Sequence, residues 1–248
     1  MKIPSLRIIC ALGLAFCLGG CGAAPASMAK MPEEIVQKNA PQGGEAEIYL
    51  AGGCFWGTEH YLSLAPGVIS AESGYANGRT ARPSYREVCS GSGHAEAVHV
   101  VYDPKILPLE KLLDLYYDSI DPTAKNRQGN DVGEQYRSGI YYVAKDGKAH
   151  GEAAVIGDSL HRLQGKLKKP VAIETGPIVN FYRAEEEHQK YLEKHPDGYC
   201  HIPLSLMSDM RGKSEAAKER QKEKSYARPS DDELKERLTA MQYKVTQE

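Results

Sequence analysis

The sequence predicts an α+β fold: a two-layer, ferredoxin-like βαββαβ sandwich with a mixed sheet, an extended N-terminal tether and a helical C-terminal tail. Two observations carry this. Short runs rich in β-branched and aromatic residues interleave with longer stretches of helical period, and glycine, proline or aspartate punctuates the junctions. Of the 248 residues, 41% are hydrophobic and 26% charged, enough apolar material for one sizeable core.

Taken in order, Lys2 and Arg7 precede a short apolar run from Ile8 to Leu18. That run is too short for a permanent bilayer span, so residues 1–20 read as a secretory signal. It ends in Leu18-Gly19-Gly20-Cys21, which resembles a lipoprotein processing site, with Cys21 as the acylated N-terminus. The expected location is therefore the cell envelope, with the domain anchored at an extracytoplasmic or periplasmic face. Residues 21–45 are rich in Ala, Pro, Gly, Gln and Lys and read as a flexible tether.

The folded domain is expected over 46–207. Ile48-Tyr49-Leu50 suggests a buried strand running into Gly52-Gly53-Cys54, followed by a helix from Trp56 to Leu64. Val68–Tyr75 and Ala97–Tyr102 read as strands, the latter ended by Asp103-Pro104. Pro108 opens a helix with Leu109, Leu112, Leu113 and Tyr116 on one face. A strand at Ile140–Ala144, a helix at Lys148–Leu167, a strand at Val171–Thr175 and a charged helix at Ala184–Lys194 follow. From 208 the composition changes to alternating Lys, Arg and Glu, a solvated helix or linker. Ser230 and Glu233 then have capping-box spacing ahead of Leu234, Leu238 and Met241.

Once Cys10 and Cys17 leave with the signal and Cys21 is acylated, Cys54, Cys89 and Cys200 are left. An odd count in an exported protein leaves at least one thiol unpaired or reactive. Cys54 sits between a strand end and a helix start, where free backbone N–H groups and the helix dipole favour a thiolate. Phe55 and Trp56 would form an apolar wall suited to a methyl-sulfur group. The same segment also suits a buried structural cysteine between core aromatics.

The wider pattern is more specific. GCFWGTEHYL at 53–62, GYANGRTARPSYREVCSGSGHAEAVHVVYDP at 74–104, DPTAKNRQGNDVGEQYRSGIYY at 121–142, FYRAEEEHQKYL at 181–192 and HPDGYCHI at 195–202 together resemble the type A methionine sulfoxide reductases, which act on the S epimer at sulfur. The resemblance covers about residues 46–207 in the family's order. It implies Cys54 as nucleophile, Glu96 as acid, and Tyr85, Asp131 and Tyr136 lining the oxygen and methyl sites. It also implies Phe55 and Trp56 as the hydrophobic wall and Cys200 as the resolving thiol. Oxidised proteins and free methionine S-sulfoxide are the implied substrates. No bound cofactor is implied, only a thiol reductant, thioredoxin-like in the cell or dithiothreitol in the tube. The roles are chemically coherent. A neutral carboxylic acid can protonate the sulfoxide oxygen, and a sulfenic acid on Cys54 can condense with a second thiol.

Residues 227–248, ARPSDDELKERLTAMQYKVTQE, resemble the opening of type B reductases, a resemblance that suggests a separate type B protein as partner. That resemblance stops before any residue that would carry type B catalysis, so no type B activity is implied. A net charge of −2 gives no reason to expect nucleic acid. Histidine and cysteine spacings suit no metal site, and Gly91-Ser92-Gly93 lacks the third glycine of a dinucleotide loop. Cys89 reads as a packed strand-end thiol. The competing readings are another thiol enzyme, which would leave Phe55, Trp56 and Glu96 unexplained, and a binding module with a structural Cys54–Cys200 disulfide.

Overall fold

The computed structural model describes residues 33–144, 151–226, 231–237 and 242. The signal-like segment, Cys21, Ser230 and most of the type B-like tail lie outside the described residues.

The sheet is built around Ala46–Ala51 (β2), whose alternation sends Ile48 and Leu50 to one core and Tyr49 and Ala51 to another. A preceding edge strand is Glu34–Val36 (β1). After β2 come helix Phe55–Ser63 (α1), strand Val68–Ala76 (β3), short helix Tyr85–Cys89 (α2) and strand Ala95–Tyr102 (β4). Helix Leu109–Asp118 (α3) follows, buried through Leu109, Leu112, Leu113 and Tyr116, the face its sequence predicts. Each leucine fully removed from water there contributes about 1.5–3 kcal/mol. Arg127–Gln128 (β5) and Asp131–Val132 (β6) form a two-stranded ribbon before a 3₁₀ turn at Glu134–Tyr136. Then come Gly139–Tyr142 (β7), Glu152–Lys166 (α4), Glu174–Pro177 (β8), Asn180–Arg183 (β9), Tyr191–Lys194 (α5), Leu204–Tyr226 (α6) and Asp231–Arg237 (α7).

The seven-stranded sheet has the order β1-β9-β3-β4-β2-β7-β8. Its centre is antiparallel throughout, whereas β1–β9 and β7–β8 are parallel, so the sheet is mixed. Helices α1 and α3 pack on the face carrying Ile48, Leu50, Val98, Val100 and Ile140. Glu96 shares the parity of Val98 and Val100 along β4 and so points to that same side.

Several expectations need correction. Residues 34–36, inside the expected tether, pair in register with Asn180–Tyr182, and the Lys38 N–H donates to Glu72 at 2.9 Å. The strand expected at Val171–Thr175 begins at Glu174, where the β7 partners Gly139–Tyr142 become available. The helix expected over Ala184–Lys194 is confined to Tyr191–Lys194; residues 180–183 are strand, and between them the Glu185 and Gln189 side chains bond to Tyr85 and Ser73. Across residues 207 and 208, where the composition changes, the chain stays within one helix, α6, with Met207 and Met210 buried. Cys89 ends helix α2 and is exposed, not packed at a strand end.

Candidate active site

Cys54 lies in the turn that joins β2 to α1. Gly53 enables that turn at φ +77°, and a Cβ on it would stand 2.6 Å from the Gln128 side chain, so only glycine fits. Gln128 is itself buried, tied to Asp121 and to the Ser138 hydroxyl, and forms a rigid floor. Cys54 then occupies the N-cap of α1 in an extended conformation, without capping the helix through its side chain. Its thiol is buried, at 7% exposure.

The first N–H of α1, on Phe55, would have no partner within the helix. It donates to Glu96 Oε2 at 3.1 Å, while Glu96 Oε1 is buried with no hydrogen-bond partner among the described residues. Burial pushes the Glu96 carboxyl up to about 8, Asp131 adds to this, and the Phe55 N–H opposes it. At neutral pH this acid is chiefly protonated. It is thus a buried, neutral carboxylic acid anchored on the residue next to Cys54.

Cys54 departs from the sequence expectation. Burial, and then the charge of Glu96, raise its thiol well above the ordinary range; the Trp56 N–H pulls the other way. The helix start does help the thiolate, as read from sequence, but desolvation outweighs it in the substrate-free site. Neutralising Glu96 removes one of the charges that hold the thiol protonated.

Around this pair the structure gathers the other expected residues. Tyr136, half-buried, has its hydroxyl pushed up to about 12 by burial and by the charges of Glu96, Cys54 and Asp131. Tyr85 opens α2, its N–H donating to Glu185 at 3.0 Å; burial, then Glu96 and Tyr136, raise its hydroxyl, and Cys89 also touches it. Both phenols therefore stay neutral donors at physiological pH. Asp131 accepts the Tyr199 hydroxyl at 3.2 Å and lies 3.9 Å from His201 Nδ1.

Cys200 belongs to the irregular segment before α6 and is a half-buried free thiol, as Cys54 is a free buried one. It abuts α1: a Cβ on Gly57 would lie 2.9 Å from Cys200 Sγ. Burial raises this thiol too, against the Ile202 N–H. Phe55 is buried against Tyr75, with ring centroids 5.8 Å apart, and Trp56 stacks on Tyr191 at 3.8 Å and 12°. Sequence reasoning missed Gln128, His188 and Tyr191. The sequence weighs the histidine only as a metal ligand, and it places the tyrosine on the charged helix expected over Ala184–Lys194. Among the described residues no group of three or more His, Cys, Asp or Glu is placed to hold a metal ion, and no helix is long and apolar enough to cross a membrane.

The sequence profile of the family described as peptide methionine sulfoxide reductase matches residues 46–221. The chain belongs to that family. Curated relatives include the peptide methionine sulfoxide reductase MsrA of Lachnoclostridium phytofermentans, 56% identical over 156 residues, covering 62% of this chain and 91% of the relative. The MsrA of Clostridium acetobutylicum is 51% identical over 162 residues, covering 65% and 97%. Among solved structures, reduced Mxr1 from Saccharomyces cerevisiae matches with a TM-score of 0.61 at 36% identity, over 69% of this chain and 98% of that one. The methionine sulfoxide reductase A of Corynebacterium diphtheriae gives 0.58 at 36% identity, over 65% and 84%. The protein is thus a type A peptide methionine sulfoxide reductase, an oxidoreductase with an α+β mixed sheet.

Proposed function

We propose that this reductase converts methionine S-sulfoxide, free or within oxidised proteins, to methionine by attack of Cys54 on sulfur. The observation that carries the mechanism is the buried Glu96 carboxyl, anchored by one oxygen to the Phe55 N–H and unpartnered among the described residues at the other. That carboxyl protonates the sulfoxide oxygen as Cys54 sulfur bonds to substrate sulfur, with Tyr85 and Tyr136 donating to the same oxygen. Asp131, which accepts the Tyr199 hydroxyl and lies beside the buried His201 ring, completes the polar side of the pocket, and Phe55 and Trp56 receive the methyl group. The substrate sulfur–oxygen bond breaks with its oxygen leaving as water, water then adds to the Cys54 sulfur as the bond to substrate sulfur breaks, and the net change is thiol plus sulfoxide to sulfenic acid plus methionine. The Cys200 thiol then condenses with the sulfenic acid, releasing water and leaving a Cys54–Cys200 disulfide. A thioredoxin-like dithiol reduces that disulfide by exchange. We read the β2–α1–β3–β4–α3–β7 unit, with strand order β3-β4-β2-β7, as the ferredoxin-like core that carries these groups. We further propose acylation of Cys21 and anchoring to the cell envelope, supported by the sequence alone; the mass of the mature chain decides it.

The test is turnover of resolved S and R epimers of a methionine sulfoxide peptide by wild type and Cys200→Ser, with either thioredoxin or dithiothreitol. Wild type is expected to reduce the S epimer only, with both reductants. Cys200→Ser is expected to lose most thioredoxin-supported turnover and to retain much of the dithiothreitol-supported activity. Turnover of the R epimer would overturn the stereochemical assignment, and full thioredoxin-supported activity of Cys200→Ser would overturn the resolving role.

A further inference from the structure

Between β9 and α5 the chain forms a strap held by its polar side chains. Gln189 donates to the carbonyls of Ser73 and Ala184, both at 2.9 Å, and accepts the Ser73 N–H at 3.2 Å. The Lys190 N–H donates to the buried Glu59 carboxylate of α1 at 2.8 Å, with Lys190 itself at φ 52°. Glu185 accepts the Tyr75 hydroxyl at 2.6 Å. A positive φ at a non-glycine residue is held only where its surroundings demand it, and here two rings are the result. Tyr191 stacks flat on Trp56, and the Trp56 Nε1–H donates to His188 Nδ1 at 3.2 Å.

An indole nitrogen can only donate, so His188 Nδ1 must carry a lone pair and the ring proton of this neutral imidazole sits on Nε2. Burial favours that neutral form, against the carboxylates of Glu185 and Glu187. The same ring lies 5.3 Å from Phe55 and 4.6 Å from Tyr85. His188 therefore touches the apolar wall and the oxygen side of the pocket at once, yet the chemistry above assigns it nothing.

We propose that His188 is a positioning residue for substrate: by accepting the Trp56 N–H through Nδ1, it locks the indole, against Tyr191, into the orientation that receives the sulfoxide's methyl group. The inference rests on the reading of Phe55 and Trp56 as that wall. Without the acceptor the indole can turn within a half-buried pocket, and the ground-state and transition-state complexes lose the contact equally, so the loss falls on KM more than on kcat.

Trp56 is the chain's single tryptophan, so intrinsic emission reports this ring alone. The experiment measures kcat and KM for a methionine S-sulfoxide peptide, thermal melting and emission in the full chain for wild type, His188→Leu, His188→Asn and Trp56→Phe. An asparagine amide oxygen can stand where Nδ1 stands, whereas leucine offers no acceptor. His188→Leu is expected to raise KM roughly tenfold with kcat within about twofold, and to shift the emission maximum. His188→Asn is expected to keep KM and emission near wild type. A wild-type KM in His188→Leu, or a KM in His188→Asn as high as in His188→Leu, overturns the proposal. Should His188→Leu fail to fold, His188→Asn decides: preserved KM and emission support positioning, and a tenfold rise refutes it. Trp56→Phe separates the two readings. If it raises KM while His188→Leu does not, only the positioning role falls; if Trp56→Phe itself has a wild-type KM, the wall reading falls and takes this one with it.

Discussion

Replacing Cys54 by serine lowers methionine formation by about 10⁵-fold or more, the scale seen when an enzyme loses its nucleophile. Serine is nearly isosteric, and the N-cap of α1 tolerates a hydroxyl, so the melting temperature should change little. The activity cannot survive because a hydroxyl does not attack sulfoxide sulfur, and the remaining groups only bind and polarise the substrate. Neither Cys89, exposed at the end of α2, nor Cys200 occupies the turn that Gly53 and Gln128 build. Assay of methionine release by purified Cys54→Ser with excess dithiothreitol checks this. Residual activity within a few-fold of wild type would mean that another thiol attacks.

Replacing Glu96 by glutamine lowers kcat/KM at neutral pH by about 10²–10³-fold, within the usual contribution of a general acid. The pH dependence separates this from a mere packing defect. In the wild type the active form of Glu96 is the protonated one, and its carboxyl is pushed up to about 8, chiefly by burial. Activity should therefore fall as pH rises through about 8. The fall has two sources, since an ionised Glu96 can no longer give a proton and also raises the Cys54 thiol further. Glutamine does not ionise, so the alkaline fall should vanish from the small residual activity.

Wild-type stability should fall over the same rise in pH. A carboxyl with a folded value of about 8 and an ordinary value of 4.5 binds its proton more tightly when folded. The wild type consequently loses stability as pH rises from about 4.5 to about 8, where only the folded state still holds the proton. Glu96→Gln removes that loss, so its melting temperature relative to wild type should climb between pH 5 and pH 9. A variant equally unstable at both pH values, or an unchanged alkaline limb of activity, would contradict the assignment.

Much of this site was legible in the sequence because its central pieces are local. Gly53-Cys54-Phe55-Trp56 lies on one strand–helix junction, and apolar alternation marked β2 and β4 on either side of it. The short helix α2 was missed although Ser84 and Glu87 form a reciprocal capping box visible in the sequence; five residues give no periodicity to read. Glu185, His188 and Gln189 misled for a different reason. Their charge pattern favours a charged amphipathic helix, but each side chain bonds to a partner 100 or more residues away. The parallel pairing of β1 with β9 likewise joins segments distant in sequence. The protonation state of Cys54 was misjudged because the helix dipole can be inferred from a junction, whereas desolvation and the Glu96 charge arise only in the assembled fold.

The central claim is that one sulfoxide oxygen leaves on attack by Cys54 and that Cys200 closes the cycle. The most direct measurement mixes fully reduced chain with excess methionine S-sulfoxide peptide in the absence of any reductant, quantifies methionine and maps disulfides by peptide mass. The account predicts one methionine per chain and a single Cys54–Cys200 disulfide, with Cys89 still a free thiol. No methionine, or methionine accompanied by a disulfide that excludes Cys54, would contradict it.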